Sequence, residues 1–274
     1  MSTTSINSDN YAERQLIVVM PDDFVDSIRK FEEEIIEENK ETSLKEAAIL
    51  AMKLAIKTNI FTMAIDAYKA LEKLKQNGFN ATYIKKSESS GLTFPPGHPR
   101  NGVLYVAHPA DDDVYYAMAS FHRMAFEHKF SEAIDILMSL GANKIKVEHI
   151  RGWSHEFCGE LAVSTPTGNL SATAHNTSKI SSSILYEATL DGHTTPSIPD
   201  QLAWYKHEPT WQSIAKGRIQ HGLREFSLSV AYEDDFGINA GLKISAVKSG
   251  LELGGRFEDH QATIWRISGT FTNG

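Results

Sequence analysis

The chain has 274 residues, of which 41% are hydrophobic and 23% are charged, and its formal net charge is −8 at pH 7. This composition is that of a globular protein and excludes a chain that is disordered or fibrous throughout. The negative charge argues against broad electrostatic binding to phosphate backbones or anionic lipid, and the single cysteine excludes an intrachain disulfide. A polar N-terminus and the lack of about 18 consecutive apolar residues predict a cytoplasmic protein.

The first part of the chain predicts a helical module, residues 14–85, behind a disordered polar arm, residues 1–13. The module begins with a short β-prone run at 15–20, which Pro21 ends. Across residues 24–39, apolar side chains recur at helical spacing and predict an amphipathic helix. The acidic residues between them are expected to form its solvated face.

The rest of the module is predicted to be helical as far as Gln76. Thr42 and Ser43 can cap a second, alanine-rich helix. The sequence NATYI, residues 80–84, predicts a strand. Residues 86–102 are rich in glycine, proline and serine and predict a linker to the next domain.

Two stretches of the module, RQLIVVMPDDFVDSI at 14–28 and TSLKEAAILAMKLAI at 42–56, follow a strand, helix, helix order. Over residues 14–56 this order resembles that of ribbon-helix-helix DNA-binding proteins, and the resemblance implies a strand that presents polar side chains to base edges. Residues 1–80 carry 14 acidic and 10 basic residues, hence a net charge of −4, which is the wrong sign for contacts with phosphates. We therefore expect no nucleic-acid partner, and we expect the apolar strand at 15–20 to be an edge for self-association.

The central part of the chain has the pattern strand, helix, strand: VLYVA at 103–107, a long helix over about 114–140, and KIKVEHI at 144–150. This order predicts a right-handed βαβ crossover. Beyond it, alternating apolar and polar residues predict an antiparallel sheet with a Trp-rich helical insert at 200–223. The predicted fold class is α+β, and the second predicted domain covers residues 103–274.

A candidate catalytic site follows the strand at 103–107, where the sequence places His108, Asp111 and Asp113. Ligands often bind beyond the carboxyl ends of strands in open α/β sheets. With His122 of the next helix, these residues would form the site of an acid–base or metal-assisted hydrolase. Asp113 is also well placed to cap that helix, so the sequence leaves open whether the protein is an enzyme. No cofactor and no metal site are predicted.

Helical geometry divides the polar residues of the long helix into two stripes. His122 lies within an apolar stripe, so we expect it to be buried with a hydrogen-bond partner. His128, Glu132 and Asp135 lie on another stripe, about 240° from His122 at 100° per residue. The two histidines therefore cannot share a ligand, and the second stripe is expected to be a solvated face.

Three residues of the predicted insert, Trp204, His207 and Trp211, lie on one helical face. Tryptophans at this spacing either anchor the insert to the sheet or form a surface for a partner. Both interpretations stay open at this stage, and the three residues are the candidate partner surface.

Alternation in the C-terminal part of the chain predicts strands at 226–232, 238–246 and 251–257. A half-buried sheet has this pattern, and so has a membrane-inserting β-hairpin. The Ser/Thr-rich residues 161–185 could form a second such hairpin. Insertion into a membrane, with pore formation, is therefore one alternative function.

No motif in the sequence fixes a chemistry, and catalytic groups can meet in space without one. The leading functional prediction is a non-enzymatic, cytoplasmic binding or assembly protein that self-associates. The alternatives are a membrane-inserting effector that uses the C-terminal strands, a hydrolase at His108, Asp111–Asp113 and His122, and a DNA-binding regulator with a ribbon-helix-helix-like N-terminus.

Overall fold

The computed structural model describes residues 15–38, 59–153 and 184–272, which contain five α-helices and two four-stranded sheets. The predicted α+β class is confirmed. The strands are β1 (Leu16–Met20), β2 (Ala81–Lys85), β3 (Leu104–His108), β4 (Asp111–Ala117), β5 (Ala142–Arg151), β6 (Ile184–Thr189), β7 (Glu225–Tyr232) and β8 (Thr263–Phe271). The helices are α1 (Asp22–Glu38), α2 (Asn59–Gln76), α3 (Phe121–Ser139), α4 (Pro209–His221) and α5 (Ala240–Ser249).

The described residues divide into two compact units. The first contains residues 15–38, 59–121 and 236–259, and the second contains residues 122–153, 184–235 and 260–272. Strands β1 to β4 form the sheet of the first unit, and β5 to β8 form the sheet of the second. The predicted boundary between residues 102 and 103 therefore does not separate the two sheets, because β1 and β2 share a sheet with β3 and β4.

The sheet of the first unit has the order β2-β1-β3-β4, with β1 parallel to β2 and antiparallel to β3. The strands predicted at 15–20 and 80–84 are confirmed as β1 and β2. All five residues of β1 are buried, as expected for an apolar run covered on both faces of a sheet. Helix α1 buries Phe24, Val25 and Ile28, in agreement with the predicted amphipathic helix.

Strand β1 lies between β2 and β3, so neither of its edges is free. Leu16–Met20 pair with Ala81–Lys85 on one side, and Leu16–Val18 pair with Leu104–Val106 on the other. The prediction that this strand is an edge for self-association is therefore wrong. The ribbon-helix-helix interpretation requires strand side chains that reach base edges, whereas all the β1 side chains are buried. The second helix of that interpretation, at 42–56, lies outside the described residues.

Residues 111–117 form β4 and not the start of a helix, since α3 begins only at Phe121. Strand β4 pairs antiparallel with β3 through a tight turn. Its residues Tyr115 and Tyr116 are buried, and aromatic side chains favour a strand because they pack well on a pleated surface. Asp113 is consequently a strand residue, and the prediction that it caps a helix is wrong.

The strand, helix, strand order predicted for the centre of the chain is present as β3, α3 and β5. However, β3 and β5 belong to different sheets, so they do not form the predicted parallel crossover. Among the described strands the parallel pair is β1 and β2, with α1 and α2 between them in the sequence. Strand β4, of which residues 114–117 were assigned to the helix, completes the first sheet before α3 begins.

The sheet of the second unit has the order β6-β5-β8-β7 and is antiparallel throughout. This confirms the predicted antiparallel sheet, and α4 with the 3-10 helix Tyr205–His207 confirms the helical insert. Trp265 of β8 is fully buried and lies edge-on to Phe126 and Phe130 of α3, with ring centroids 4.9 and 5.0 Å apart. Aromatic contacts of this kind fix α3 on one face of the sheet.

Helix α5 occupies residues 240–249, where a strand was expected. The Asn239 side chain accepts hydrogen bonds from the backbone N–H groups of Gly241 and Leu242 and so caps the helix N-terminus. Gly250 ends the helix with a φ of 97°, a left-handed conformation that glycine adopts without steric cost. The two ends of the helix are therefore specified by local residues, a side-chain cap at Asn239 and a left-handed glycine at Gly250.

The alternation across residues 238–246 led to a wrong strand prediction. Leu242 and Ala246 lie on the buried side of α5, four residues apart, and Ile244 is half exposed; over so short a segment, a two-residue alternation and a helical repeat coincide. The membrane-inserting alternative loses the hairpin on which it relied. Its other candidate hairpin, 161–185, lies almost wholly outside the described residues. Within the described ranges, every helix is too short or too polar to span a lipid bilayer.

An ion pair in the first unit joins α1 to the 3-10 helix Glu88–Gly91. Arg29 donates two hydrogen bonds to the Glu88 carboxylate, at 2.6 and 3.0 Å. The backbone N–H of Lys85 donates to the same carboxylate at 2.9 Å. The hydrogen bonds from Arg29 lower the pKa of Glu88, although its partial burial opposes this.

We expect the substitution Glu88→Gln to lower the free energy of unfolding by about 1 kcal/mol at neutral pH, a small effect because exposed pairs are screened by solvent. The Arg29 and Glu88 side chains are 40% and 33% exposed. Because the folded-state pKa of Glu88 lies below its ordinary value of 4.5, the carboxylate stabilises the fold above that pH. The stabilisation is lost as the pH falls through the folded-state pKa. Urea denaturation at neutral and at acidic pH measures this, and an equal deficit at both would contradict it.

Candidate functional site

The predicted catalytic residues lie in different units: His108, Asp111 and Asp113 belong to the first, and His122 belongs to the second. His108 is fully buried at the end of β3, where its Nδ1 accepts a hydrogen bond from the backbone N–H of Ala110 at 3.0 Å. The Asp111 carboxylate accepts one from the backbone N–H of Asp113 at 3.1 Å. Both contacts organise the turn between β3 and β4. A catalytic role for these residues stays a prediction.

His122 is fully buried as the second residue of α3, in agreement with its place on the apolar stripe. Its Nδ1 lies 3.0 Å from the hydroxyl of Tyr232, the last residue of β7. The ring of His260, in the segment before β8, lies 5.1 Å from the His122 ring and 5.6 Å from the Tyr232 ring, measured between centroids. Two histidines and a tyrosine therefore meet at one point of the second unit.

Aromatic side chains surround this histidine–tyrosine cluster. Trp153 stacks on Tyr232 with ring centroids 6.0 Å apart. Phe126, one turn after His122 on α3, lies 5.3 Å from the Trp153 ring and 6.1 Å from the Tyr232 ring. The indole N–H of Trp265 donates to the backbone carbonyl of Trp153 at 3.0 Å. In such apolar surroundings the hydrogen bond between His122 and Tyr232 is stronger than it would be in water.

The chemistry open to the cluster is limited. The His122 ring and the Tyr232 hydroxyl can satisfy each other, one donating and one accepting. The Nε2 atom of His260 is buried and has no hydrogen-bond partner among the described residues. In the same ranges, no group of three or more histidine, cysteine, aspartate or glutamate side chains is placed to hold a metal ion. The geometry is that of a polar contact within an aromatic core. Sequence analysis missed Tyr232 and His260, because no local spacing links them to His122.

Glu132 contradicts the prediction that its stripe of the helix is solvated, because it is only 5% exposed. Its carboxylate accepts hydrogen bonds from the backbone N–H groups of Ala203, Trp204 and Tyr205, at 2.8, 3.1 and 2.6 Å. Asp135, from the same predicted stripe, is exposed as expected. Desolvation by the protein around its carboxylate nevertheless raises the pKa of Asp135, and the nearby charge of Glu132 raises it further.

Lys129, also on α3, is a second buried charge and is 7% exposed. Its Nζ donates to the backbone carbonyl of Ala231 at 2.7 Å and lies 2.5 Å from the Glu208 carboxylate. It also lies 4.8 Å from the centroid of the Trp204 ring, a cation–π contact. His128, the residue before Lys129, is half-buried. Helix α3 therefore uses charged side chains to hold the segment that precedes α4.

The candidate partner surface on the insert is largely buried. Trp204 is 5% exposed and Trp211 is 1% exposed, whereas His207 is exposed. The interpretation as a partner surface is therefore wrong for both tryptophans. The alternative, that they anchor the insert, agrees with their burial and with the contacts of Trp204 to Glu132 and Lys129.

Strand β7 forms one edge of the second sheet and pairs with β8. The carbonyl of Arg224, just before β7, accepts a hydrogen bond from the N–H of Phe271 on β8 at 2.8 Å. Backbone groups point alternately to the two sides of a strand, so the even-numbered residues of β7 face β8. The odd-numbered residues direct their backbone groups outward, and these are Glu225, Ser227, Ser229 and Ala231.

One end of this outward edge is bound, because Lys129 donates to the Ala231 carbonyl. Glu225, Ser227 and Ser229 are exposed, and within the described part of the chain no hydrogen bond reaches their outward backbone groups. Natural sheets often protect an edge strand with charged side chains, lysine above all, with proline or with a bulge. Strand β7 contains no lysine, proline or bulge, and its one charged side chain is that of Glu225 at its first position. Its free edge is therefore the candidate binding site of the second unit.

No protein-family model, curated protein or solved structure matches this chain. Neither unit gains a role by similarity, so the free edge of β7 and the buried polar contacts are the features that bear on function.

Proposed function

We propose that the protein is a non-enzymatic binding or assembly protein that self-associates through the free edge of β7. One observation carries this proposal: the outward backbone groups at Glu225, Ser227 and Ser229 have no hydrogen-bond partner among the described residues. Unpaired N–H and C=O groups on an edge strand are a template for a strand of another chain. Such pairing satisfies these groups and extends the antiparallel sheet.

The other side of β7 supports the proposal, because the strand is firmly held. Phe226, Leu228 and Val230 are buried against the core of the second unit. An edge that is already ordered loses little conformational entropy when it binds a second strand. The two serines at outward positions are small, so an incoming strand can approach closely. Recognition of this kind relies mainly on backbone hydrogen bonds.

A proline in the edge tests the proposal. Ser227→Pro removes an outward N–H group that does not bond to β8, and proline is tolerated at such positions of edge strands. In sedimentation equilibrium of the full chain, we expect the mass of the wild type to rise with concentration and that of the variant to stay monomeric. Ser227→Thr is the matched control, because it retains the N–H group and should associate like the wild type.

Circular dichroism shows whether the Ser227→Pro variant is folded. If it is not, the double variant Ser227→Lys, Ser229→Lys replaces it, since it leaves the backbone intact and protects the edge with charge. A wild-type chain that is monomeric at every concentration overturns the proposal. Undiminished association of a folded edge variant overturns it as well.

A further inference from the structure

The free positions of β7 have a symmetric arrangement. Within the described ranges, the outward backbone groups of Glu225, Ser227 and Ser229 have no hydrogen-bond partner, and Ala231, the fourth outward residue, has its carbonyl bound to Lys129. The three free positions are evenly spaced about Ser227. Most homo-oligomers are built on two-fold axes, and an axis through Ser227 would match each free position with a free position of a second copy.

We infer that the partner of β7 is β7 of a second copy, paired antiparallel with Ser227 on the two-fold axis. Ser227 then faces Ser227 of the second copy, and Glu225 faces Ser229. In an antiparallel pair each such facing pair exchanges two hydrogen bonds, so the outward backbone groups of Glu225, Ser227 and Ser229 are all satisfied. This inference rests on the proposed self-association and adds the identity, direction and register of the partner strand.

The same register brings opposite charges together on the exposed face of the sheet. Arg266 of β8 is exposed and lies directly beside Ser229. In the inferred pairing, Glu225 of the second copy lies on the other side of Ser229. The backbones of these two residues are then about 10 Å apart, two strand spacings. Their long side chains can meet across the small serine, and the two-fold axis creates this ion pair twice.

Arg266 is available for this contact. Its neighbour on β5 is Glu148, whose carboxylate already pairs with Lys146 at 2.7 Å. Arg266 itself forms no salt bridge with any described residue, and the same holds for Glu225. The pKa of Glu148 is lowered by its hydrogen bond from Lys146 and further by the charge of Arg266, so Arg266 has Glu148 as a neighbour but no salt bridge among the described residues. Both ends of the inferred ion pair are thus exposed charges without a salt bridge in the described part of one chain.

The two symmetric registers whose axis passes through Glu225 or Ser229 are less favourable. An axis through Glu225 would set two glutamates directly opposite each other, and like charges in a facing pair are destabilising. An axis through Ser229 would make Ser227 face Ala231, whose carbonyl is already bound to Lys129. The axis through Ser227 avoids both costs.

Cysteine cross-linking tests the register in the full chain, with Cys158 replaced by serine. Ser227→Cys places two thiols across the axis, where facing residues have Cα atoms about 5.5 Å apart, within the range of a disulfide. We expect a covalent dimer on non-reducing electrophoresis after mild oxidation. Ser229→Cys is the matched control, because its counterpart on the second copy lies four residues along the strand, about 13 Å away. It should form little cross-linked dimer.

A charge exchange tests the ion pair. Glu225→Arg and Arg266→Glu each bring like charges together and are each expected to raise the dimer dissociation constant about tenfold at low ionic strength. The double variant restores the opposite charges and should return to within about threefold of the wild type. Glu187→Arg makes the same change in charge on β6, at the other edge of the sheet, and should leave the constant unchanged.

The outcomes separate the inference from the proposed function. A monomeric wild type overturns both. If the chain associates but Ser229→Cys cross-links as well as Ser227→Cys, the register is wrong and self-association stands. If the double charge variant dimerises as weakly as the single variants, the register is likewise wrong and self-association stands. If a folded Ser227→Pro variant associates normally, another surface is used and both proposals are overturned.

Discussion

Replacing Glu132 with alanine is expected to lower the free energy of unfolding by about 4 kcal/mol, a large share of the stability of a typical domain. The carboxylate is 5% exposed and accepts three hydrogen bonds from the backbone of residues 203–205. Alanine leaves these buried N–H groups without an acceptor, and each unsatisfied group costs about 1–3 kcal/mol. Denaturation with urea, followed by tryptophan fluorescence, measures the loss, because Trp204 lies within that segment.

Two further variants show whether the hydrogen bonds are the cause. Asp135→Ala removes an exposed carboxylate from the same helix and should change stability by no more than about 0.5 kcal/mol. Glu132→Gln keeps one acceptor oxygen but turns donors toward the backbone N–H groups, so we expect a loss of about 2 kcal/mol. If Glu132→Ala is as stable as Asp135→Ala, the three hydrogen bonds do not hold the segment.

The sequence predicts a strand correctly where the residues of the strand themselves determine how it is buried. The run at 15–20 is apolar at almost every position, and it forms an interior strand buried on both faces. The errors occur where a short pattern fits two structures. Residues 114–117 were assigned to the start of the long helix, but they belong to β4, which pairs with β3. Residues 240–249 alternate like a strand, yet Asn239 caps them as a helix. In the first case a distant partner strand decides the outcome, and in the second a cap does.

The same limit explains what was missed at the candidate sites. Helical spacing correctly placed His122 inside the molecule, but its partner Tyr232 is 110 residues away in the sequence. Glu132 was expected in solvent because it shares a stripe with His128 and Asp135. Helical spacing shows on which side of the helix a side chain lies, but it does not show whether another segment covers that side. Here the backbone of residues 203–205 covers Glu132. Buried charges satisfied by distant backbone groups leave no local signal.

The hydrophobic pattern of a strand also does not show whether the strand lies at the edge or in the interior of its sheet. Strand β1 was expected to be an edge because its two faces are apolar, but apolar residues on both faces indicate a strand inside a sheet. Strand β7 alternates between buried and exposed residues, which shows that one face is covered but not whether a strand lies on each side. Only the sheet order shows whether a strand has a neighbour on each side. Because β1 is an interior strand and β7 is an edge strand, the proposed self-association is assigned to β7 and not to β1.

Arg218 of α4 is the cationic counterpart of Glu132, and replacing it with alanine is expected to lower the free energy of unfolding by about 3 kcal/mol. The side chain is 7% exposed. Its three nitrogen atoms donate to the backbone carbonyls of Leu140, Leu223 and Thr272, at 3.1, 3.1 and 2.7 Å. These carbonyls follow α3, α4 and β8, so one guanidinium joins the ends of three elements. Its centre also lies 5.0 Å from the Phe271 ring.

Arg218→Lys separates directed hydrogen bonds from charge. Lysine keeps the positive charge, but its compact ammonium group cannot reproduce the planar fork that reaches three carbonyls, so we expect about half of the loss seen with alanine. Arg224→Ala, at an exposed position, is the control and should change stability by no more than about 0.5 kcal/mol. Urea denaturation compares the three variants. If Arg218→Lys is as stable as the wild type, charge alone is sufficient, and the fork geometry does not hold the three elements together.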